Sequence, residues 1–356
     1  MASQRALEIV CDPLLDERQR RAALARLGEE QAPRLRCSEP TERLIARRVV
    51  CDLFEGPAPW RPRYTMPRYD RAMAKGCAFL ELEPPRDLPE ALDFLGILYA
   101  HVPSITGYPV WLGELDKLLE PFAVAIEDAE LERLLRRLLR HVDRCLPDGF
   151  VHANLGPHDS RVTRAILRAE RELAQVVPNL TLKVDFAITP LSLLEDAVRT
   201  VVRCGKPHFA HDPAISAELG PDYGVASCYN SLPIGGGAHT LVRLDLRGSV
   251  ADATSIEHYL ATLLPEHVAA MAELLERRAR FVVEEARFLD HHFLAREGLL
   301  SLERFGVMFG VVGLAEAVSS LMGGGSSPRF GRHVEANELG LRVIARLAEL
   351  VDALRL

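Results

Sequence analysis

The chain has 356 residues, 48% of them apolar, and its 43 Lys and Arg against 50 Asp and Glu give a formal net charge of -7 and a pI near 6.0. That length and apolar share fill a sizeable core, as one large domain or two ordinary ones, and the acidic balance excludes a general nucleic-acid or anionic-membrane binder. Seven cysteines, Cys11, Cys37, Cys51, Cys77, Cys145, Cys204 and Cys228, are scattered with no Cys-x-x-Cys pair, which argues against a disulfide framework, a zinc ribbon or a tight iron–sulfur cluster.

The first residues carry Arg5 and Glu8 among the apolar ones and no small-residue cleavage site, so they do not read as a signal peptide. Thr41 precedes an apolar pattern of Leu44, Ile45, Val49, Leu53 and Phe54 that predicts a helix, and Leu92, Phe94, Leu95, Ile97 and Leu98 predict another. Pro57, Pro59, Pro62 and Pro67 break the chain between them, and 115–146 holds two further helical stretches, the second rich in Leu and Arg at helical spacing. Residues 1–148 thus read as a helical layer.

After Gly149 the texture changes to short apolar runs alternating with helices, an α/β pattern that extends over 149–356 as a continuation of the same large domain. Strands are expected at 150–155, 181–187, 207–210 and 240–247, with helices at 160–176 and 191–202. A long helix is expected from His267 to His292, a strand at 305–312, a helix through Ala315 and Val318, a loop at 323–327 and a last helix at 334–354. The uncharged stretches 96–113, 223–242 and 305–315 are interrupted by Pro, Gly and polar residues or are too short to span a bilayer, so a cytoplasmic protein without a membrane partner is expected.

Cys228 lies in Ala226-Ser227-Cys228-Tyr229-Asn230, ahead of Pro233 and Gly235-Gly236-Gly237. The pattern puts a cysteine at a loop tip, followed by backbone that tolerates close approach of a ligand or another loop. A structural cysteine beside a flexible turn accounts for the same residues. The glycines make no phosphate cradle, because Ala238 and His239 stand where a Walker lysine would, and a strand follows.

His208, His211 and Asp212 cluster after a strand and His291 and His292 at a helix end, but none has metal-ligand spacing, and no metal is expected. His211 with Asp212 reads as the polar lining of a pocket near the Cys228 loop, and a capping role for Asp212 ahead of Pro213 is the plainer alternative. Glu316 stands where a strand passes into a helix, the place where α/β folds gather ligands; a first-turn carboxylate favoured by the helix dipole explains it equally. Asn154 and His152 beside Gly156-Pro157 share that ambiguity. No Ser-His-Asp order, nucleophile elbow or dinucleotide fingerprint is present.

Several stretches together resemble the YjjI family of glycyl radical enzymes, relatives of pyruvate formate-lyase and anaerobic ribonucleotide reductase. They are Val50-Cys51-Asp52-Leu53-Phe54-Glu55-Gly56, Pro62-Arg63-Tyr64, His101-Val102-Pro103-Ser104 and Gly113-Glu114-Leu115-Asp116, then His152 to Pro157, Pro178 to Lys183, Cys228 to Gly237, Gly313 to Ala317 and Glu335 to Gly340. Matches in this order over almost the whole chain are more specific than any one of them.

The resemblance implies a ten-stranded α/β barrel of two half-barrels around a finger loop, of which this chain would form a partial barrel with an N-terminal helical layer. It implies that Cys228 is the thiyl-radical cysteine of an enzyme of anaerobic metabolism, and with the readings above Asn154, His211, Asn230, Gly235, Gly236, Gly237 and Glu316 are the expected lining of a small organic substrate's site. A separate radical S-adenosylmethionine activase would create the radical on a glycine, and a homodimer is what the family suggests. A thiyl needs a dry, enclosed pocket, and its thiol acts as neutral sulfur rather than thiolate.

The family's radical glycine lies in a segment resembling Arg-Val-x-Gly-Tyr, and nothing like it follows Ser327; Gly107-Tyr108 is too early and Arg329-Phe330-Gly331 lacks the pattern. The expectation is therefore a chain that binds no cofactor itself and is split, shortened or a remnant. Activity would need a C-terminal glycyl fragment; the alternative is an inactive homologue serving as a binding or interaction protein. The nucleotide-binding module and cysteine-rich zinc site of a ribonucleotide reductase are not seen.

Overall fold

The computed structural model describes residues 2–32, 35–52, 60–228, 230–324 and 329–354. Its strands are β1 (Val50–Asp52), β2 (Tyr64–Met66), β3 (His152–Leu155), β4 (Asn179–Val184), β5 (His208–His211), β6 (Tyr223–Ala226), β7 (Asn230–Pro233), β8 (Gly236–Asp245) and β9 (Phe305–Val312). They form open sheets among helices, an α/β architecture. The chain divides into two compact units, one of Met1–Trp60, His239–Ala286 and Val307–Leu356, the other of Arg61–Ala238 and Arg287–Gly306. The helical layer read over 1–148 is thus shared between them, and the chain passes from one to the other within β8 and β9.

In the first unit β1 runs antiparallel to β8, Val50 opposite Leu244 and Asp52 opposite Val242, and β9 also pairs with β8. Val50, Val242, Leu244, Met271, Leu275 and Val343 belong to one buried apolar cluster there. The helix expected to continue through Val49 stops at Ala46. The β-branched Val49 and Val50 favour the pleated surface, where packing against β8 overrides the helical spacing. The long helix expected over 267–292 runs from Leu264 to Arg280, passes into a π turn over Phe281–Glu285 and is broken at Arg287, whose φ is 49°. That break falls where the chain leaves the unit. Gly323 and Gly324 form the expected turn, while 325–327 lie outside the described residues.

The second unit is built on the parallel sheet β3-β4-β5, with Asn154 opposite Thr181 and Lys183 opposite Ala210. Each crossover is one helix, Arg161–Leu173 and then Leu191–Cys204. The first is capped by Ser160, whose hydroxyl accepts from Thr163 N at 3.0 Å; the second ends at Gly205 with φ 75°. The Leu/Arg-rich helix Asp128–Cys145 buries Leu131, Leu135, Leu138, Leu139 and Val142 along one stripe, as its period predicts. β6 and β7 form an antiparallel hairpin in which Ala226 faces Asn230. Sequence periodicity does not predict this hairpin as strands.

Candidate active site on the Cys228 hairpin

Side chains on a strand alternate between faces. On β3 and β4 the alternation puts His152, Asn154, Thr181 and Lys183 on one side and Ala153, Leu155, Leu180 and Leu182 on the other, and all eight are at most 1% exposed. Polar groups buried so deeply need partners, and they find them on the β6–β7 hairpin. Asn154 Nδ2 donates to Val225 O at 2.8 Å, while its Oδ1 accepts from Val225 N at 2.8 Å and from Trp111 Nε1 at 3.0 Å. Lys183 Nζ donates to Tyr223 O at 2.7 Å and lies 3.8 Å over the Tyr223 ring. It also pairs with Glu114 at 2.8 Å, and Lys117 reaches the same carboxylate at 2.6 Å. Burial lowers the Lys183 pKa and Glu114 opposes that shift.

His152 completes the set. Its Nδ1 is 3.0 Å from Ser227 O and its Nε2 2.7 Å from Thr181 Oγ1. A carbonyl only accepts, so Nδ1 carries the proton and Nε2 accepts from the threonine hydroxyl. Burial pushes the His152 pKa down to about 4, which keeps the ring neutral at pH 7. Gly224 permits the close seating of the hairpin: a side chain there would lie 2.7 Å from Met66 Cε and from the Trp111 ring.

The tip follows from this anchoring. Ser227 adopts a left-handed conformation, φ 54°, with its carbonyl on His152 and its hydroxyl 3.2 Å from Tyr64 Oη. Ser227 is 3% exposed, yet the next residue, Cys228, is exposed. Among the described residues Asn230 supplies the hydrogen bond that reaches the sulfur, Nδ2 to Sγ at 3.5 Å. The sulfur's described partner is thus an amide donor. The enclosure expected around the cysteine is not supplied by the described residues of this chain, because Cys228 stands out at the tip.

The other expected site residues are dispersed in role. Asn154 is close to the loop, but its amide is committed to holding β6 rather than open to a ligand. Gly235 to Gly237 serve backbone approach: a methyl at Gly236 would strike the Arg304 backbone and one at Gly237 the Tyr64 carbonyl. His211 and Asp212 are both engaged by the protein's own groups, and the cap considered for Asp212 falls to His211. His211 Nδ1 accepts from Ala214 N at 3.2 Å and so caps the helix Asp212–Leu219, whereas Asp212 accepts from Tyr223 Oη at 2.6 Å. Pro213 at the second helical position leaves no N–H there to be capped. Glu316 is exposed in the first turn of the helix Leu314–Leu321, in the other unit. No group of three metal-ligating side chains occurs among the described residues.

Comparison with known proteins identifies the family. The family described as "Glycyl radical enzyme YjjI-like" matches residues 15–356. The chain belongs to that family. It is 44% identical to the YjjI protein of Escherichia coli (strain K12) over 352 residues, 98% of this chain and 68% of that protein. It is also 44% identical over 311 residues to a protein of Haemophilus influenzae, 87% of this chain and 60% of that one. Two solved structures share the fold at low identity. The anaerobic ribonucleotide reductase of Thermotoga maritima with citrate in its active site matches with TM-score 0.65 and 13% identity over 99% of this chain and 68% of that one. The glycerol-bound B12-independent glycerol dehydratase of Clostridium butyricum matches with TM-score 0.64 and 11% identity over 96% of this chain and 66% of that one. The open sheets of this YjjI-like chain are thus a partial glycyl-radical-enzyme barrel.

Sequence reasoning missed Lys183, Thr181 and Glu114 as supports of the hairpin. A signal for the first two was present, since His152-Ala153-Asn154-Leu155 and Thr181-Leu182-Lys183-Val184 alternate polar with apolar residues in a sheet otherwise expected to be apolar.

Proposed function

We propose that this YjjI-like chain carries the hydrogen-abstracting half of a glycyl radical enzyme, with Cys228 as the thiyl residue acting on a small organic substrate. The observation that carries the reading is the anchoring of the hairpin: the backbone up to Ser227 is fixed by His152, Asn154 and Lys183 just before the exposed Cys228, whose enclosure is proposed to come from polypeptide outside the described residues. A hydrogen-atom transfer needs the two heavy atoms near contact, so a fixed loop is worth more than a mobile one.

A glycyl radical would supply the one-electron oxidising equivalent, and its glycine is proposed to lie in polypeptide outside these 356 residues, in cis or in trans, with an activase to generate it. The Cys228 S–H bond breaks homolytically, its hydrogen passes to the glycine α-carbon, and the sulfur keeps the unpaired electron. The sulfur then takes a hydrogen atom from a substrate C–H bond, reforming S–H and leaving a carbon radical. Asn230, hydrogen-bonded to the sulfur, positions it. No step calls for a base.

The test uses the chain with the separately expressed part of the Escherichia coli relative that this chain does not match, an activase and S-adenosylmethionine, without oxygen. In deuterium oxide the thiol becomes S–D, so reversible transfer through Cys228 exchanges the glycine α-hydrogen and collapses its splitting in the electron paramagnetic resonance signal. Cys228→Ala should leave the signal intact and stop the exchange. Exchange that persists in Cys228→Ala, or a wild-type signal that never exchanges, overturns the assignment.

A further inference from the structure

Four tyrosines of the second unit are enclosed, Tyr64, Tyr69, Tyr99 and Tyr223, each at most 1% exposed. A buried phenol has one proton to donate and is costly to leave without an acceptor. Three of the four donate it to the protein: Tyr69 to Trp111 O at 2.8 Å, Tyr99 to Leu112 O at 2.6 Å and Tyr223 to an Asp212 oxygen at 2.6 Å. Tyr64 differs. Its Oη accepts from Ser227 Oγ at 3.2 Å, and its own proton has no acceptor among the described residues. The ring is nonetheless firmly placed. Tyr64 lies on β2 opposite Ala238, the guanidinium of Arg63 stands 5.1 Å over it, and a side chain at Gly237 would strike its carbonyl, so the glycine run keeps β2 this close.

We propose that Tyr64 is a substrate-binding residue of the Cys228 site, its phenol proton donated to a hydroxyl, carbonyl or carboxylate oxygen of the substrate. The proposal rests on Cys228 being the reacting residue and adds the group that holds what reacts. Ser227 ties the two together, because its hydroxyl touches Tyr64 and the next residue carries the sulfur. Consecutive Cα atoms lie about 3.8 Å apart, so a molecule of roughly three or four carbons reaches from the phenol to the thiol. The donor also selects. A bound oxygen satisfies the phenol, whereas a hydrocarbon of the same shape leaves it unpaired, the difference on which a polar site discriminates most strongly. A backbone carbonyl of the polypeptide proposed to enclose Cys228 is the rival acceptor.

The test reads the thiol without any radical, so its failure is separate from a failure of Cys228 chemistry. The full chain is alkylated with iodoacetamide in the presence of glycerol, acetone or acetate, each titrated to about 100 mM, a range in which ligands this small bind. Rates at Cys228 and at Cys11, the other exposed cysteine, are followed by mass spectrometry. At least one of the three should slow Cys228 and leave Cys11 unchanged. In Tyr64→Phe, with an unchanged melt, the half-protecting concentration should rise about tenfold or more; in Ser227→Ala, which keeps the phenol, it should not. Three results would each overturn the proposal: protection by none of the three, protection equal in wild type and Tyr64→Phe, as the rival carbonyl requires, or an equal loss in Ser227→Ala, which would make Tyr64 a support of Ser227.

Discussion

The two faces of the sheet β3-β4-β5 are equally buried and differ in how they hold what covers them. Ala153, Leu155, Leu180 and Leu182 supply an apolar face; His152, Asn154, Thr181 and Lys183 supply a polar one that grips the hairpin backbone atom by atom. Apolar contact is non-directional and mainly sets stability, whereas a buried polar network is costly unless every bond is made and so also fixes position. Neighbouring substitutions on β4 separate the two. Lys183→Met should cost about 4 kcal/mol, because it strips a buried charge pair from Glu114 and an anchor from Tyr223, and amides of 223–226 should lose protection beyond the global change. Leu182→Ala should cost about 3 kcal/mol through its cavity while the hairpin keeps its protection relative to the rest. Equal local opening in both variants would mean that the hairpin is held by general packing.

The polar face also makes the hairpin pH-sensitive in a way the apolar face is not. His152 has its pKa lowered to about 4 by burial, against about 6.5 in an unfolded chain. Below 6.5 the unfolded or released state binds the proton that the native ring refuses, so stability is full above pH 6.5 and falls as pH drops toward 4. The slope is at most about 1.4 kcal/mol per pH unit, for a total of about 3 kcal/mol. His239 is also depressed to about 4, by burial, in the other unit, so the measurement must be local: hairpin amide protection from pH 7 to pH 4, in wild type and in His152→Gln. A wild-type profile as flat as the variant's would remove His152 from the account.

A smaller loss is expected at Asn154. Asn154→Ala leaves Val225 N and O and Trp111 Nε1 without the amide that joins them, an expected cost of about 2 kcal/mol. Faster reaction of Cys228 with a thiol reagent should accompany it as the hairpin loosens, whereas Val198→Glu on the helix side should leave that rate unchanged. Unchanged reactivity in Asn154→Ala would locate the rigidity of the tip in the hairpin's own pairing.

Much of the frame is legible in residue periodicity and much of the site is not, for reasons these same residues show. Leu131, Leu135, Leu139 and Val142 announce their helix because one face packs and the other is solvated, and β9 runs over the 305–312 expected of its apolar run. Cys228 was readable as a loop tip from the residues around it. The strands flanking it were not, since Tyr223–Ala226 and Asn230–Pro233 are short, include Gly, Asn, Ser and Pro, and owe their place to Asn154 and Lys183, distant in sequence. That the cap falls to His211 rather than Asp212 has the same origin, because Asp212 answers to Tyr223, a partner that local capping rules do not see. Non-local polar pairing leaves no period to read.

The smallest effect on stability should belong to the residue with the largest proposed effect on chemistry. Cys228 is exposed and its described contact is one 3.5 Å hydrogen bond from Asn230, so Cys228→Ala should change stability by less than about 0.5 kcal/mol. Cys11 is the other exposed cysteine, so the variant should also lose one of two fast-reacting thiols. A side chain that the fold does not need, at the end of a loop the fold holds with buried charge and a neutral imidazole, is the arrangement expected when the loop is kept for what its tip does. If Cys228→Ala instead destabilises the unit by as much as Asn154→Ala, the sulfur is a packing element. The network beneath it would then be ordinary core, and the contrast between the two faces of the sheet would carry no functional meaning.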